Sequence, residues 1–333
     1  MFATANGLAI MLVRNSSSIC KLKQWSAGLT ITLAWERRLA SYSEIVFCSD
    51  SRLSGGGNID VCQKIFPLPR EDAAIGFCGS TLIAYPIINQ FVSYVRNYKK
   101  NLDRALDGSE LPRRLASLAN KFLESYIDPI DLERELLETT FVIGCFSWRL
   151  GRPIINKIVF DNGPKQYVAA NSPFPKSKSK TLHEHCRQFA IIGDLKHHYF
   201  DELAKHIDYA ASDRLDMEPF SALAAMLGDA QYTDRRQPLK GVIGGAPQLL
   251  KVYPFYRTIE FGVHWPDNTS GKLFLNGREV FDFEKITLPA LDARTLEARY
   301  PLEAISQPSE LALPDEDEKF DVLAETENVE DGE

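Results

Sequence analysis

At Ser80 the hydrophobic rhythm of this chain changes from alternate positions to helical spacing, and no other feature constrains the fold as strongly. Upstream, Thr30-Ile31-Thr32-Leu33-Ala34-Trp35 alternates as a strand does, and Glu44–Ser49 is apolar on both faces, the pattern of a strand covered twice. The polar stretch Glu36–Ser43 reads as their hairpin connection, and Arg52–Asp60, with Gly55-Gly56-Gly57, as a loop. Val61–Pro67 and Ala73–Cys78 are two more short strands, held apart by Pro67 and Pro69.

Downstream, Leu82, Ile83, Tyr85, Ile87, Ile88, Phe91, Val92 and Val95 recur at helical spacing, and Leu102–Tyr126 carries a second helix. Strands return at Thr139–Trp148 and Pro153–Phe160, a hairpin around Arg149–Gly151, and at Tyr167–Asn171. A Pro/Lys/Ser loop over Ser172–Lys180 follows. Phe189–Ile192 then leads through Gly193-Asp194 into a helix over Tyr199–Ala211, with another over Pro219–Gln231. Pro247–Tyr253 and Ile259–His264 are strands, and Lys272–Phe283 folds back at Asn276-Gly277, a type I′ hairpin signal. Groups of strands separated by pairs of helices imply an α+β fold of antiparallel sheets covered by helices, not a doubly wound parallel sheet.

At 333 residues the chain is long enough to bury a substantial core. Its net charge of −7 belongs to one end, because residues 315–333 hold ten acidic side chains and one lysine. The other 314 residues are close to neutral, with 37 basic and 35 acidic side chains. No basic block with interleaved aromatics points to nucleic acid, and no run is apolar enough to span a membrane. The six cysteines include no CxxC pair and several sit in apolar strands, which suits reduced thiols in a cytoplasmic protein. Residues 1–29 read as a leader, 30–285 as one domain, and 286–333 as an acidic, disordered tail.

Four residues between 30 and 80 could share one piece of chemistry: Thr30 in the first strand, Asp50 at the end of the second, Lys64, and Gly79 where the first helix opens. A threonine hydroxyl is a weak nucleophile until a base takes its proton, and a freed α-amine on the same residue can be that base. A lysine held charged by an aspartate lowers the pKa values of the hydroxyl and amine through its field. A glycine N–H at a strand-to-helix junction can stabilise an oxyanion.

Read in order, Thr30-Ile31-Thr32-Leu33-Ala34, Asp50-Ser51-Arg52, Gln63-Lys64-Ile65, Cys78-Gly79-Ser80, Ile191-Ile192-Gly193-Asp194 and Gly244-Gly245-Ala246 resemble the motifs of the proteasome β-subunit and HslV-like family of N-terminal-nucleophile hydrolases. The resemblance implies a four-layer αββα sandwich with two antiparallel sheets. It also implies a threonine peptidase in which Thr30 is the nucleophile, exposed by self-cleavage after Leu29. Asp50 and Lys64 become its electrostatic partners and Gly79 its oxyanion donor. It calls for no cofactor and no metal, and for a homo-oligomer or ring acting on peptide or protein substrates; nothing identifies an ATP-dependent unfoldase. The sequence departs from the family pattern at Leu29, Asp194, Lys240 and Ile243; only a shifted loop alignment would bring in Asp234 as the acid, and the role is not assigned to it. The alternative is therefore a non-catalytic subunit serving in assembly or partner binding, its leader uncut.

Other candidates are poorer. His183, His185 and Cys186 lack a second ligand cluster for zinc and read as a solvated helix start, and His197-His198 as surface. Ser54-Gly55-Gly56-Gly57 has no following Lys-Ser/Thr and is not a P-loop. Cys48 lies inside an apolar strand and is not a nucleophile.

Overall fold

The computed structural model describes residues 30–54, 57–127, 132–173, 188–208, 214–234, 236, 242–254, 257–267, 269 and 271–300. The expected leader, residues 1–29, lies outside them, as do the stretch 301–333, His183, His185, Cys186 and Lys240.

Two sheets carry the fold. In the larger, β10 (Phe189–Gly193) borders β1 (Ile31–Arg38), which pairs with β2 (Ser43–Ser49). The order continues through β11 (Gln248–Tyr253), β12 (Arg257–His264), β13 (Leu273–Leu275) and β14 (Arg278–Glu279). In the smaller, β5 (Ile65–Pro67), β6 (Ala73–Cys78), β7 (Thr140–Ser147), β8 (Arg152–Asp161) and β9 (Gln166–Asn171) lie in chain order. A short hairpin of β3 (Leu53–Ser54) and β4 (Asn58–Ile59) stands apart. The pairings within the two main sheets are antiparallel, except where β15 (Ala290–Asp292) runs parallel to β12, so the fold is α+β with antiparallel sheets.

Strand alternation decides what each face buries. On β1, Ile31, Leu33 and Trp35 share a core with Tyr199 and Leu203 of α4 (Lys196–His206) and Phe220, Leu223 and Leu227 of α5 (Glu218–Gly228). Ala34 points the other way and joins Ile45 and Phe47 of β2 with Ala74, Val142 and Ile155 of the smaller sheet. The remaining face of that sheet, through Ile75, Phe77, Phe141 and Ile143, packs on Ile83, Ile87 and Phe91 of α1 (Thr81–Asn97) and Leu115 and Ala119 of α2 (Leu111–Glu124). Burying each of these large side chains contributes about 1.5–3 kcal/mol relative to exposure.

The departures from sequence expectation have local causes. The second helix begins at Leu111, not Leu102: Arg104 adopts a left-handed φ of 59°, and the Asp107 carboxylate accepts from Ser109 N–H to start a fresh turn. A short helix, α3 (Leu132–Glu138), precedes β7 and was not expected. The helix at 218 stops at Gly228, after which Asp229 caps a separate turn. The chain also stays in the fold beyond residue 285, through β15 and β16 (Ala298–Arg299), strands too short to show periodicity. The hairpin at Asn276-Gly277 forms as expected, with left-handed φ of 51° and 87°. Among the described residues no helix is long and apolar enough to cross a membrane.

Candidate functional site

The register of β1 and β2 brings Thr30 and Asp50 together. Thr32 faces Ser49, so the residue before β1 and the residue after β2 emerge at the same end of the larger sheet. Lys64 arrives from the other sheet, just ahead of β5, its carbonyl accepting from Phe77 N–H at 3.2 Å. Thr30 is 4% exposed, and Asp50 and Lys64 are fully buried.

Asp50 organises the cluster. Its Oδ1 accepts from Lys64 Nζ at 2.7 Å, from Thr30 Oγ1 at 3.1 Å and from Ile31 N–H at 3.1 Å. Its Oδ2 accepts from Arg52 N–H at 3.2 Å and Gly244 N–H at 3.3 Å. Lys64 Nζ also donates to Thr30 Oγ1. Desolvation lowers the Lys64 pKa, while the charge of Asp50 and its hydrogen bond pull the other way. A hydroxyl, a carboxylate and a titratable ammonium thus meet out of water, where their mutual fields are strongest.

The surrounding chain holds these backbones in place. Gln248, 1% exposed, accepts at Oε1 from Lys64 N–H at 2.9 Å. Its Nε2 donates to the carbonyls of Asp50 at 3.1 Å and Cys62 at 2.7 Å. One side chain therefore ties the peptide of the acid to that of the lysine. Ser51 Oγ donates to Ala246 and Asp60 carbonyls, and Arg52 clasps Asp60 at 2.6 and 2.7 Å while donating to the carbonyls of Thr233 and Ile243. Gly277, at the tip of the late hairpin, lies so close that a Cβ there would collide with Ser51.

Gly79 has a φ of 97°, and a Cβ on it would collide with the Glu138 carbonyl; it lies where β6 gives way to α1. Gly193 passes just as tightly over the Thr30 carbonyl, which accepts from Asp194 N–H at 3.2 Å. Next to it lies a cavity of about 200 Å³ lined by Cys78, Leu137, Glu138, Thr140, Gly193, Asp194 and Lys196. Desolvation and then Glu138 push up the Asp194 carboxyl, and burial pushes the Cys78 thiol up to about 12. Burial likewise raises Cys48, so neither sulfur is an activated thiolate.

Of the residues singled out from sequence, Thr30, Asp50 and Lys64 share one cluster of contacts, and Gly79 sits at the expected junction. Ile243 is buried and enters only through its carbonyl, while Asp234 pairs with Arg236. Among the described residues no group of His, Cys, Asp and Glu could hold a metal ion. Gln248 was missed, being far from residues 50–64 in sequence with no motif to mark it, and the hairpin signal at Asn276-Gly277 gave no sign that Gly277 would approach Ser51.

No protein-family model matches the chain, and no curated protein does. Among solved structures it is similar to Anbu (a Gly-1 mutant) from Hyphomicrobium sp. strain MC1, at 14% identity and a TM-score of 0.45, over 69% of this chain and 86% of that one. These findings correct the expected membership of the proteasome β-subunit and HslV-like family: short motifs in family order produced that expectation, and no family model extends it to the chain as a whole. The likeness to Anbu is distant and partial.

Proposed function

We propose that this protein is an amide-bond hydrolase whose nucleophile is Thr30 Oγ1, released as an amino-terminal residue by cleavage after Leu29. The supporting observation is the convergence of the Thr30 hydroxyl, the Asp50 carboxylate and the Lys64 ammonium in a buried site. In the uncut chain the Thr30 nitrogen belongs to a peptide bond and is no base. Attack of Oγ1 on the Leu29 carbonyl moves the acyl group from nitrogen to oxygen, and the proton from Oγ1 passes to the departing nitrogen. Water then hydrolyses the ester, leaving a Leu29 carboxylate, a free Thr30 hydroxyl and a free α-amine. That amine serves as the base when a substrate amide takes the place of Leu29. Asp50 keeps Lys64 charged against the desolvation that lowers its pKa, and Lys64 stabilises oxygen as it loses its proton. Gly79 N–H receives the oxyanion in this reading, and the cavity beside Asp194 accepts part of a peptide substrate.

The three cores, one between the sheets and one under each helix pair, support reading the architecture as a four-layer αββα sandwich. In this reading copies of the chain associate in a homo-oligomer or ring, and the free, buried Cys48, Cys78 and Cys145 suit a reducing, cytoplasmic setting. A second reading, a non-catalytic subunit with an uncut leader, is favoured by the Thr30 hydroxyl being already paired on both sides and almost inaccessible.

One experiment separates the two. Intact-mass analysis of protein active on a fluorogenic peptide amide is expected to show a chain beginning at Thr30, and Thr30→Ala is expected to stay uncut and inactive. Activity in chains that still carry Met1, or unchanged activity in Thr30→Ala, refutes the hydrolase reading.

A further inference from the structure

Away from Thr30, a second cavity of about 510 Å³ opens where the start of α2 meets β8 and β9. Small-molecule sites span about 300–1,000 Å³. Among the described residues, the two charged side chains lining this cavity are both arginines, Arg113 and Arg152, and no carboxylate lines it. Arg113 is anchored by Glu110 at 2.7 Å. Arg152 is exposed and has no ion-pair partner among the described residues.

Strand geometry sets the floor: Arg152, Ile154 and Asn156 alternate along β8 and so share one face. Asn156 Nδ2 donates to Asn171 Oδ1 at 3.1 Å, which fixes both amides. Ser172, at the rim of β9, is 3% exposed, yet among the described residues its Oγ has no hydrogen-bond partner. A buried hydroxyl with neither protein nor ligand to bind is uncommon in a folded protein. Among the described residues the cavity therefore combines a guanidinium that has no ion-pair partner with a nearby buried, unbonded hydroxyl and an apolar wall, and its lining side chains carry no negative charge.

We infer that this cavity binds a small molecule bearing an oxyanion, a carboxylate or a phosphate. Arg152 grips the anion through paired N–H donors, Ser172 Oγ supplies a further donor, and Ile154 packs against the rest of the ligand. This site is separate from the hydrolytic reading and stands whether or not Thr30 is a nucleophile.

Thermal unfolding of the full chain tests it, with inorganic phosphate or succinate titrated at constant ionic strength against sodium chloride. A saturable rise in midpoint is expected with at least one oxyanion and not with chloride. In Arg152→Ala that rise is expected to need about tenfold more ligand or to vanish, and Ser172→Ala to weaken it less. Because Arg152 is exposed and has no ion-pair partner among the described residues, its variant is expected to keep the wild-type midpoint in chloride. A response to phosphate alone or to succinate alone assigns the kind of oxyanion. The inference is overturned by the lack of any saturable rise with either probe, or by an equal rise in Arg152→Ala.

Discussion

Two ion pairs among the described residues have both side chains fully buried, and they differ in chemistry and in what they touch. Lys64 and Asp50 meet at 2.7 Å and Arg70 and Asp72 at 2.5 Å, all four side chains fully buried. The Arg70 pair spans two positions of one turn, with a second bond of 2.9 Å, and the guanidinium also donates to the Leu106 carbonyl. It fastens the turn between β5 and β6 to the segment ahead of α2. The Lys64 pair joins segments from different sheets and adds a third member, the Thr30 hydroxyl. Burial alone does not distinguish a staple from a reactive site. A guanidinium keeps its proton under all working conditions, whereas an ammonium whose pKa is depressed can exchange one with a neighbour.

The sharpest way to break this contrast is to neutralise each acid. Asp50→Asn is expected to lower peptide-amide hydrolysis by about 100- to 10,000-fold, as loss of a group that governs proton transfer does. Asp72→Asn is expected to leave activity per folded molecule unchanged. Equal losses of rate in the two variants would mean that the Lys64 pair is only another staple.

Stability should rank the other way. Removing one partner of a buried pair costs about 3–5 kcal/mol when the remaining charge is stranded. Arg70 has no means of relief in Asp72→Asn, while Lys64 in Asp50→Asn can shed its proton. Urea unfolding is therefore expected to show the larger loss in Asp72→Asn. The reverse order would show that Lys64 stays charged after its partner is removed.

Gln248→Leu is the next largest effect. It strands Lys64 N–H and removes the donor to the Asp50 and Cys62 carbonyls, at about 1–3 kcal/mol for each buried group left unpaired. With the acid and the lysine no longer tied to each other, hydrolysis is expected to fall by up to about 100-fold. Loss of stability with hydrolysis intact would place Gln248 with the staple and not with the reactive cluster.

How much of this was legible beforehand follows from sequence separation. Thr30 and Asp50 lie at the ends of adjacent strands, and Lys64 opens the next apolar run, so local periodicity and order were enough to group them. Gln248 lies 184 positions beyond the lysine whose N–H it holds, and strand pairing that distant leaves no periodic trace. Arg70 and Asp72 lie between two short strands that sequence separates only by Pro67 and Pro69, and nothing there marks them as buried. Only the packing of Leu106 and Phe146 around them, through hydrogen bonds to Arg70 and to the Asp72 carbonyl, turns them into a buried pair. The polar stretch Glu36–Ser43 reads in sequence as a connection, yet β1 runs on to Arg38, where Arg37 bonds both Glu44 and Asp216.

The smallest expected effect is the shape of the stability curve with pH, and the two pairs act at opposite ends of it. Lys64 has a folded-state pKa below its ordinary 10.5, with desolvation the main cause and Asp50 opposing it. Between that lowered value and 10.5 the unfolded chain carries a proton that the folded chain has lost, so stability rises with pH across this window. Asp72 is raised above 3.8 by desolvation, against the pull of Arg70, so between 3.8 and its folded value the folded chain holds the extra proton and stability falls as pH rises. Each contribution has a slope of at most about 1.4 kcal/mol per pH unit. Urea midpoints measured across pH are expected to lose the alkaline rise in Lys64→Met and the acid-side fall in Asp72→Asn. Retention of the alkaline rise in Lys64→Met would assign that proton to another group and leave the buried ammonium as inert as the guanidinium.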